Sequence, residues 1–286
     1  MNAIEIRNVS KKQGEFFELK CEELILPRGC IMGLVGKNGA GKSTLIHLLL
    51  GMIRKDGGEI SLLGAGDAAR HKETLEEVGV VLDYAAGIPG IMKVTQVSGL
   101  MRGIYKHWDS EAFDGYLNRF EIPHSKKSRV GHLSRGMLVK LNLAIALSHG
   151  AKLLILDEAT NGLDALVRDE VIDLLMEFTR EEDRSVLISS HMIGDLEKIC
   201  DYVAFLRAGK LALCEEKDQL RERYLLVRGT AEQLAQIPDE AVLGRRGNAF
   251  GAEAIVERTA VTQGMDAAPV PLEELFIMME KEASAS

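Results

Sequence analysis

The sequence predicts an α/β fold, and three observations carry that expectation. Short apolar runs of strand length alternate with longer stretches whose apolar residues recur at helical spacing. One of the buried runs opens directly into a glycine-rich loop and then a helix-forming segment. A second buried run ends on adjacent acids, Asp157 and Glu158. The 286 residues suffice for one core of about 200 residues plus an appendage, or for two modest domains. We expect the first arrangement.

The elements follow in order. "AIEIRNV" alternates apolar and polar positions and "FFELKCEELIL" resumes after a turn at Gly14, which predicts an antiparallel β subdomain. "CIMGLVG" is apolar on both faces and reads as a buried strand, followed by the helix "STLIHLLLGM". From about 87 to 149 the chain turns mostly helical. It carries "VTQVSGLMRGIY", "DSEAFDGYLNRF" with Ser110 as the expected N-cap, and "RGMLVKLNLAIALSHG" with Leu138, Leu141 and Ile145 on one face. This stretch reads as a helical subdomain inserted into the α/β core. "KLLILDEAT" returns to strand, and a long helix carries Val167, Val171, Leu174, Leu175 and Phe178. "SVLISS" is a further strand, and "YVAFLRAGKLAL" a hairpin around Ala208 and Gly209. The texture changes near 216, so 1–215 reads as the main domain and 216–286 as a small α+β accessory domain. That segment holds a charged helix "EEKDQLRERY", a strand "YLLVRG", a short helix "AEQLAQI" and a final helix. The final helix has Leu272, Leu275, Phe276 and Met279 on one face, which predicts docking on the protein's own core.

Composition excludes several classes. Apolar content is 46% and charged content 27%, with 35 basic against 43 acidic residues and a net charge of −8, so nucleic acid is not an expected partner. No apolar run approaches the roughly 20 residues that cross a bilayer, and the first residues lack the apolar stretch of a signal peptide, so a cytoplasmic location is expected. Cys21, Cys30, Cys200 and Cys214 show no metal spacing and read as small buried hydrophobes.

"GKNGAGKS", Gly36 to Ser43, matches the phosphate-loop pattern GxxxxGK[ST] in full. Glycines at 36, 39 and 41 let backbone N–H groups converge on triphosphate oxygens at a helix N-terminus, with Lys37, Asn38 and Ala40 completing the loop. Lys42 then reaches the β- and γ-phosphates, Ser43 offers a hydroxyl to Mg²⁺, and Thr44 helps hold the α-phosphate side. The competing reading is a glycine-rich turn without a ligand. Strand, loop and helix are the context that a phosphate loop requires, and in this order they resemble a P-loop NTPase (RecA-like) core. Asp157 and Glu158 stand at the carboxyl end of a buried strand, where open α/β sheets place their ligands. Asp157 is a candidate for Mg²⁺, and Glu158 for polarising the water that attacks the γ-phosphate. A solvated strand end is the alternative. His191 ends another buried strand in "ISSHM", within reach of the same phosphate unless it is a structural histidine.

These motifs, in this order, resemble the nucleotide-binding subunit of an ATP-binding cassette (ABC) transporter over Ala3 to about Cys214. The resemblance implies ATP and Mg²⁺ as ligands and ATP hydrolysis as the activity. "LSRGM" is similar to the family signature, usually LSGGQ; Ser134 and Gly136 match, and would face the γ-phosphate of ATP held by a second ATPase protomer, identical or paralogous. "NGLDA" resembles the D-loop, with Asn161 and Asp164, and His191 matches the switch histidine. Asp83 in "VGVVLDYA" stands where many members carry the Q-loop glutamine; a carboxylate there can meet Mg²⁺ or water, but when ionised it donates no hydrogen bond. Gln13 in "KKQGEFF" replaces the tyrosine that stacks on adenine, leaving Phe16 or Phe17 for that task. Arg135 and Met137 also depart from the signature, and Arg135 is expected to point to solvent.

The version of the signature and the ending "PLEELFIMM" are most similar to ATPases of ABC-2 exporters. That similarity implies a separate integral membrane permease, touched through Tyr84 to Val97, and a position on the inner face of the cell membrane. The alternative is a soluble ABC ATPase acting on ribosomes or DNA. A single cassette, no heptad array and net acidity count against it. The guanine-reading pattern [NT]KxD of GTPases is absent.

Overall fold

Strands β1 (Asn2–Gln13) and β2 (Phe17–Pro27) run antiparallel, from Asn2 opposite Pro27 to Gln13 opposite Phe17, as the alternation predicts. The computed structural model describes residues 1–66, 71–82, 88–248, 251–262 and 265–282. Strand β3 (Ile31–Val35) feeds α1 (Lys42–Leu49), and β4 (Gly57–Leu62) returns against β1. After β5 (Val78–Val81) come the helices α2 (Val94–Arg102), α3 (Ser110–Arg119) and α4 (Arg135–Ser148). The α/β pattern resumes with β6 (Leu153–Asp157), α5 (Ala165–Phe178), β7 (Ser185–Ser190) and α6 (Ile193–Ile199), then the hairpin β8 (Tyr202–Arg207) and β9 (Lys210–Glu216). The remainder is α7 (Lys217–Arg223), β10 (Tyr224–Gly229), α8 (Ala231–Leu234), β11 (Val242–Asn248), β12 (Gly251–Glu257), β13 (Asp266–Pro269) and α9 (Leu272–Glu282).

Among the described residues the strands form a nine-stranded sheet, β4-β1-β2-β9-β8-β3-β7-β6-β5, and a four-stranded antiparallel sheet, β11-β12-β10-β13. The pairings β8-β3, β3-β7, β7-β6 and β6-β5 are parallel, and every residue of β3, β6 and β7 is buried, as a sheet covered on both faces requires. The N-terminal antiparallel strands are not a separate sheet. Strand β2 joins β9 beside Lys20 and Lys210, so one sheet runs through both parts. Strands β4, β11, β12 and β13 had no clear sequence signal. Strands β4, β11 and β12 carry glycines and β13 is only four residues long, and their pairing supplies what local propensity does not.

Helix α4 was expected to bury one face and, from Val139 onward, buries two. Leu141, Ala144 and Ile145 pack with Val97, Met101 and Phe113 in the core of the helical segment, while Val139, Leu143 and Ala146 pack into the sheet's core with Leu154 and Val186. The cap of α3 is also corrected. Asp109, one residue before Ser110, has the extended backbone of a cap, and its carboxylate accepts from the N–H groups of Glu111 and Ala112, both at 2.9 Å. The Ser110 hydroxyl instead accepts from Ser98 and Arg102. Helix α9 docks as its amphipathic face predicts. Leu272, Leu275 and Met278 are buried in the same cluster as Val203 and Phe205, and Phe276 stacks on Phe205 with ring centroids 5.5 Å apart. No helix among the described residues is long and apolar enough to cross a membrane.

At the junction of the helical segment and the sheet, His149 is 2% exposed, stacks on Tyr105 at 4.0 Å, and places Nδ1 2.9 Å from the Glu76 carbonyl. Burial holds its pKa below the ordinary 6.5, partly offset by that backbone contact. As pH falls below 6.5 the unfolded chain therefore takes up a proton that the folded chain resists, and stability present above that pH is lost. Urea-unfolding midpoints should fall between pH 7.5 and 5.5, and His149→Gln should flatten that dependence.

Candidate active site

The site grows from the carboxyl ends of β3, β6 and β7. Parallel pairing sets Val35 beside Ser190 and Asp157 beside Ser189, so the loop after β3 and the acids after β6 meet at one edge of the sheet. The phosphate loop turns there because only glycine fits at two points. A Cβ at Gly36 would lie 2.4 Å from the Leu206 carbonyl oxygen, and Gly41, at φ 109°, is packed against the side chains of Leu19 and Phe17. The first turn of α1 has no side-chain cap and no acidic residue, so its N–H groups remain available to an anion.

Lys42 is 4% exposed and tethered from three sides. Its Nζ donates to the carbonyls of Gly36 at 2.7 Å and Lys37 at 3.3 Å, and lies 3.0 Å from Oε1 of Glu158. The other Glu158 oxygen, Oε2, accepts from Nδ2 of Asn161 and lies 3.4 Å from Nδ1 of His191. Burial alone would push the Glu158 carboxyl up, but the hydrogen bond and charge of Lys42, helped by His191, hold it below the usual range. Glu158 has a left-handed backbone, φ 50°, and its N–H is shared between the Oγ of Ser189 at 2.9 Å and the Ser189 carbonyl at 3.2 Å. The same Ser189 hydroxyl donates to Oδ1 of the buried Asp157 at 2.6 Å. One serine thus sets both acids.

A cavity of ≈ 460 Å³ lies over this group, lined by Asn38, Gly39, Gly41, Lys42, Ser43 and Thr44 of the loop and by Gln13, Phe17 and Glu158. Of the two aromatic candidates, Phe17 packs on Gly41 and is committed to supporting the loop, while Phe16 is 98% exposed. Gln13 accepts from the Thr44 hydroxyl at 3.1 Å.

The structure does not bring every predicted residue to this cavity. Ser134 caps α4 by accepting from the Met137 N–H at 3.3 Å, Gly136 packs on Val167, and Asp164 caps α5 through the Val167 N–H at 3.0 Å. None of the three lines the cavity. Arg135 is exposed, with its guanidinium over Gly162. Asp83 lies outside the described residues, as do Tyr84 to Gly87.

Two features had no strong sequence signal. Ser189 is one of three serines in its strand, and nothing in the sequence sets it apart from Ser185 or Ser190. The far end of α9 returns to the loop, where Glu280 pairs with Lys37 at 2.9 Å and Arg207 donates to the Met279 carbonyl at 2.7 Å. A larger open groove, ≈ 570 Å³, runs along β4 past Arg7 and His71, and none of the predicted residues lines it.

The profile of the ABC transporter family matches residues 19–161, half of the chain. The ABC transporter ATP-binding protein YtrB of Bacillus subtilis is 33% identical over 226 residues, 78% of this chain and 75% of that protein. The chain belongs to the ABC transporter family. It is an ATP-binding and ATP-hydrolysing subunit. This ABC ATPase is also similar to the bacitracin transport ATP-binding protein BcrA of Bacillus licheniformis, 32% identical over 77% of this chain and 72% of that protein. Among solved structures it matches cbiO1 of Clostridium perfringens, part of the transporter complex cbiONQ, with a TM-score of 0.65, 25% identity and coverage of 77% and 90%. The fold is therefore the P-loop cassette that the sequence predicts.

Ser189→Ala in the ABC ATPase removes the hydroxyl that orients Asp157 and Glu158 together. Turnover should fall by about ten- to a hundredfold, the scale seen when a supporting bond to a metal-site ligand is lost. Steady-state ATPase assays on folded protein check it.

Proposed function

We propose that this ATPase drives an exporter by closing as a dimer around two ATP molecules, each held by one protomer's phosphate loop and sealed by the other's signature. The observation that carries this reading is the division just described. Lys42, Ser43, Thr44 and Glu158 face one cavity, while Ser134 and Gly136 stand at the start of α4 and do not line it. A signature with a binding role then acts on another copy. In this reading Ser134 and Gly136 act in trans and Asp164 shapes the seam between protomers.

The loop, Gly36 to Ser43, wraps the triphosphate and Thr44 supports it. Lys42 is drawn to the β- and γ-phosphates. Because its ammonium is paired with Oε1 of Glu158, a γ-phosphate competes with Glu158 for it and releases that oxygen toward the attacking water. Glu158 takes the water's proton and His191 supports the γ-phosphate. The donor set of Ser43 hydroxyl and Asp157 carboxylate is of hard oxygens, which suits Mg²⁺. Those residues would hold it, with Asp83 as a further candidate, and the ion would neutralise charge on the phosphate oxygens. Loss of the γ-phosphate weakens the seal and lets the dimer open, so that work comes from the different affinities of the open and closed states for ATP.

The permease that receives this motion is a separate membrane protein, contacted through the helical segment, which places the ATPase on the inner face of the cell membrane. Likeness to a bacitracin transport protein supports an export role with an antibiotic-like cargo. The segment from 216 is an accessory domain held to the cassette by α9. Nucleic acid has no part in this reading, consistent with the charge of −8.

Glu158→Gln should bind ATP at least as tightly as the parent while hydrolysing it about a hundredfold more slowly or worse, the range for loss of a general base. Parental turnover in the purified variant would refute the role. The same variant, saturated with Mg-ATP, should sediment as a dimer, and adding Ser134→Arg should return it to monomer. A dimer that survives that change would remove the signature from the seal.

A further inference from the structure

The Glu158 carboxylate is divided between its neighbours by oxygen. Lys42 holds Oε1, while Asn161 and His191 share Oε2. We propose that Asn161 is a positioning residue for ATP hydrolysis: its carboxamide N–H holds Oε2 of Glu158, so that Oε1 is the oxygen that receives the proton of the attacking water. This rests on the reading of Glu158 given above.

A triphosphate that attracts Lys42 vacates Oε1 and leaves Oε2 as it was. Of the two groups on Oε2, His191 is half exposed and sits at 3.4 Å, beyond a good hydrogen bond. Asn161 makes the closer contact. It is also tied to Glu158 through the main chain, its N–H donating to the Glu158 carbonyl at 3.1 Å, so that carboxamide and carboxylate belong to one tight turn. Glu158 itself is held at φ 50°, a conformation that persists in a non-glycine residue only when its surroundings enforce it. Ser189 restrains its backbone and Asn161 its side chain. Asparagine suits the task because it donates without carrying charge. A cation on Oε2 would draw electron density from the carboxylate as Lys42 does, and an aspartate there could not donate when ionised.

In the step itself the water oxygen bonds to the γ-phosphorus. The bond between that phosphorus and the β–γ bridging oxygen breaks, its electron pair leaving with ADP. One water proton passes to Oε1 of Glu158, giving ADP and inorganic phosphate. Asn161 gains and loses nothing; it keeps Oε1 aimed at the water.

The test compares Asn161→Leu, similar in size without a donor, and Asn161→Asp, similar in shape without a donor, in the full chain. For each, steady-state kcat for ATP and the Kd of a non-hydrolysable ATP analogue are measured. Both variants should lose about ten- to a hundredfold in kcat, the scale of a misplaced reacting group, with the analogue's Kd within about twofold of the parent. In a Glu158→Gln background, Asn161→Leu should cost nothing further, since the residue acts through that carboxylate. Parental kcat in Asn161→Leu, a Kd that weakens as much as kcat falls, or full additivity with Glu158→Gln would each overturn the inference. If Glu158→Gln alone turns over at the parental rate, the premise about Glu158 fails and this inference with it. If Glu158→Gln is inactive while Asn161→Leu is parental, the assignment of Asn161 alone is wrong.

Discussion

Parallel pairing of β3, β7 and β6 is the constraint on which every other feature of the site depends. Parallel strands all end at the same edge of a sheet, so a glycine loop after one strand and two acids after another become neighbours although more than half the chain's cassette separates them in sequence. The pairing also makes β7 the middle strand, which is why Ser189 can reach both Asp157 and Glu158. Burial on both faces makes this arrangement rigid. The polar groups at the strand ends are fixed by apolar packing that extends from Val35 through Ile188 to Leu156.

That frame explains why a single charge, the ammonium of Lys42, sits at the centre of the site. It is almost fully buried, and two loop carbonyls and one carboxylate satisfy it. A buried cation is stable only with such partners, and the carboxylate is the one of the three that carries compensating charge. In the proposed cycle, ligand capture and the freeing of Glu158 therefore belong to one event: whatever anion attracts Lys42 does so against that carboxylate.

Much of this was legible in the sequence because the decisive signals are local. The phosphate loop is eight contiguous residues, and the acids follow a strand directly. Ser134 stands immediately before the helix it starts, whereas Asp164, expected only as a D-loop residue, also caps α5. What escaped was set by distance or by a choice between adjacent residues. Ser189 stands between Ile188 and Ser190, and nothing near it in sequence says that it, rather than Ser190, faces Asp157. Ser110 and Asp109 are both good caps, and the one whose backbone is extended wins. Helix α4 showed one apolar face by periodicity, whereas two cores claim it. Edge strand β4 opens on two glycines and β13 is four residues ending in proline, so neither announces itself, and both exist because a neighbour offers a row of unpaired backbone groups.

The family match ends at residue 161, yet the phosphate loop is in contact with the last helix of the chain through Lys37 and Glu280, and Arg207 fastens that helix end to β8. A nearly enclosed carboxylate from outside the shared region thus forms part of the electrical surroundings of the most recognisable motif in the protein. Two cassettes with letter-for-letter identical loops need not grip a nucleotide equally well, because the loop's environment is written partly in residues that motif comparison never reads.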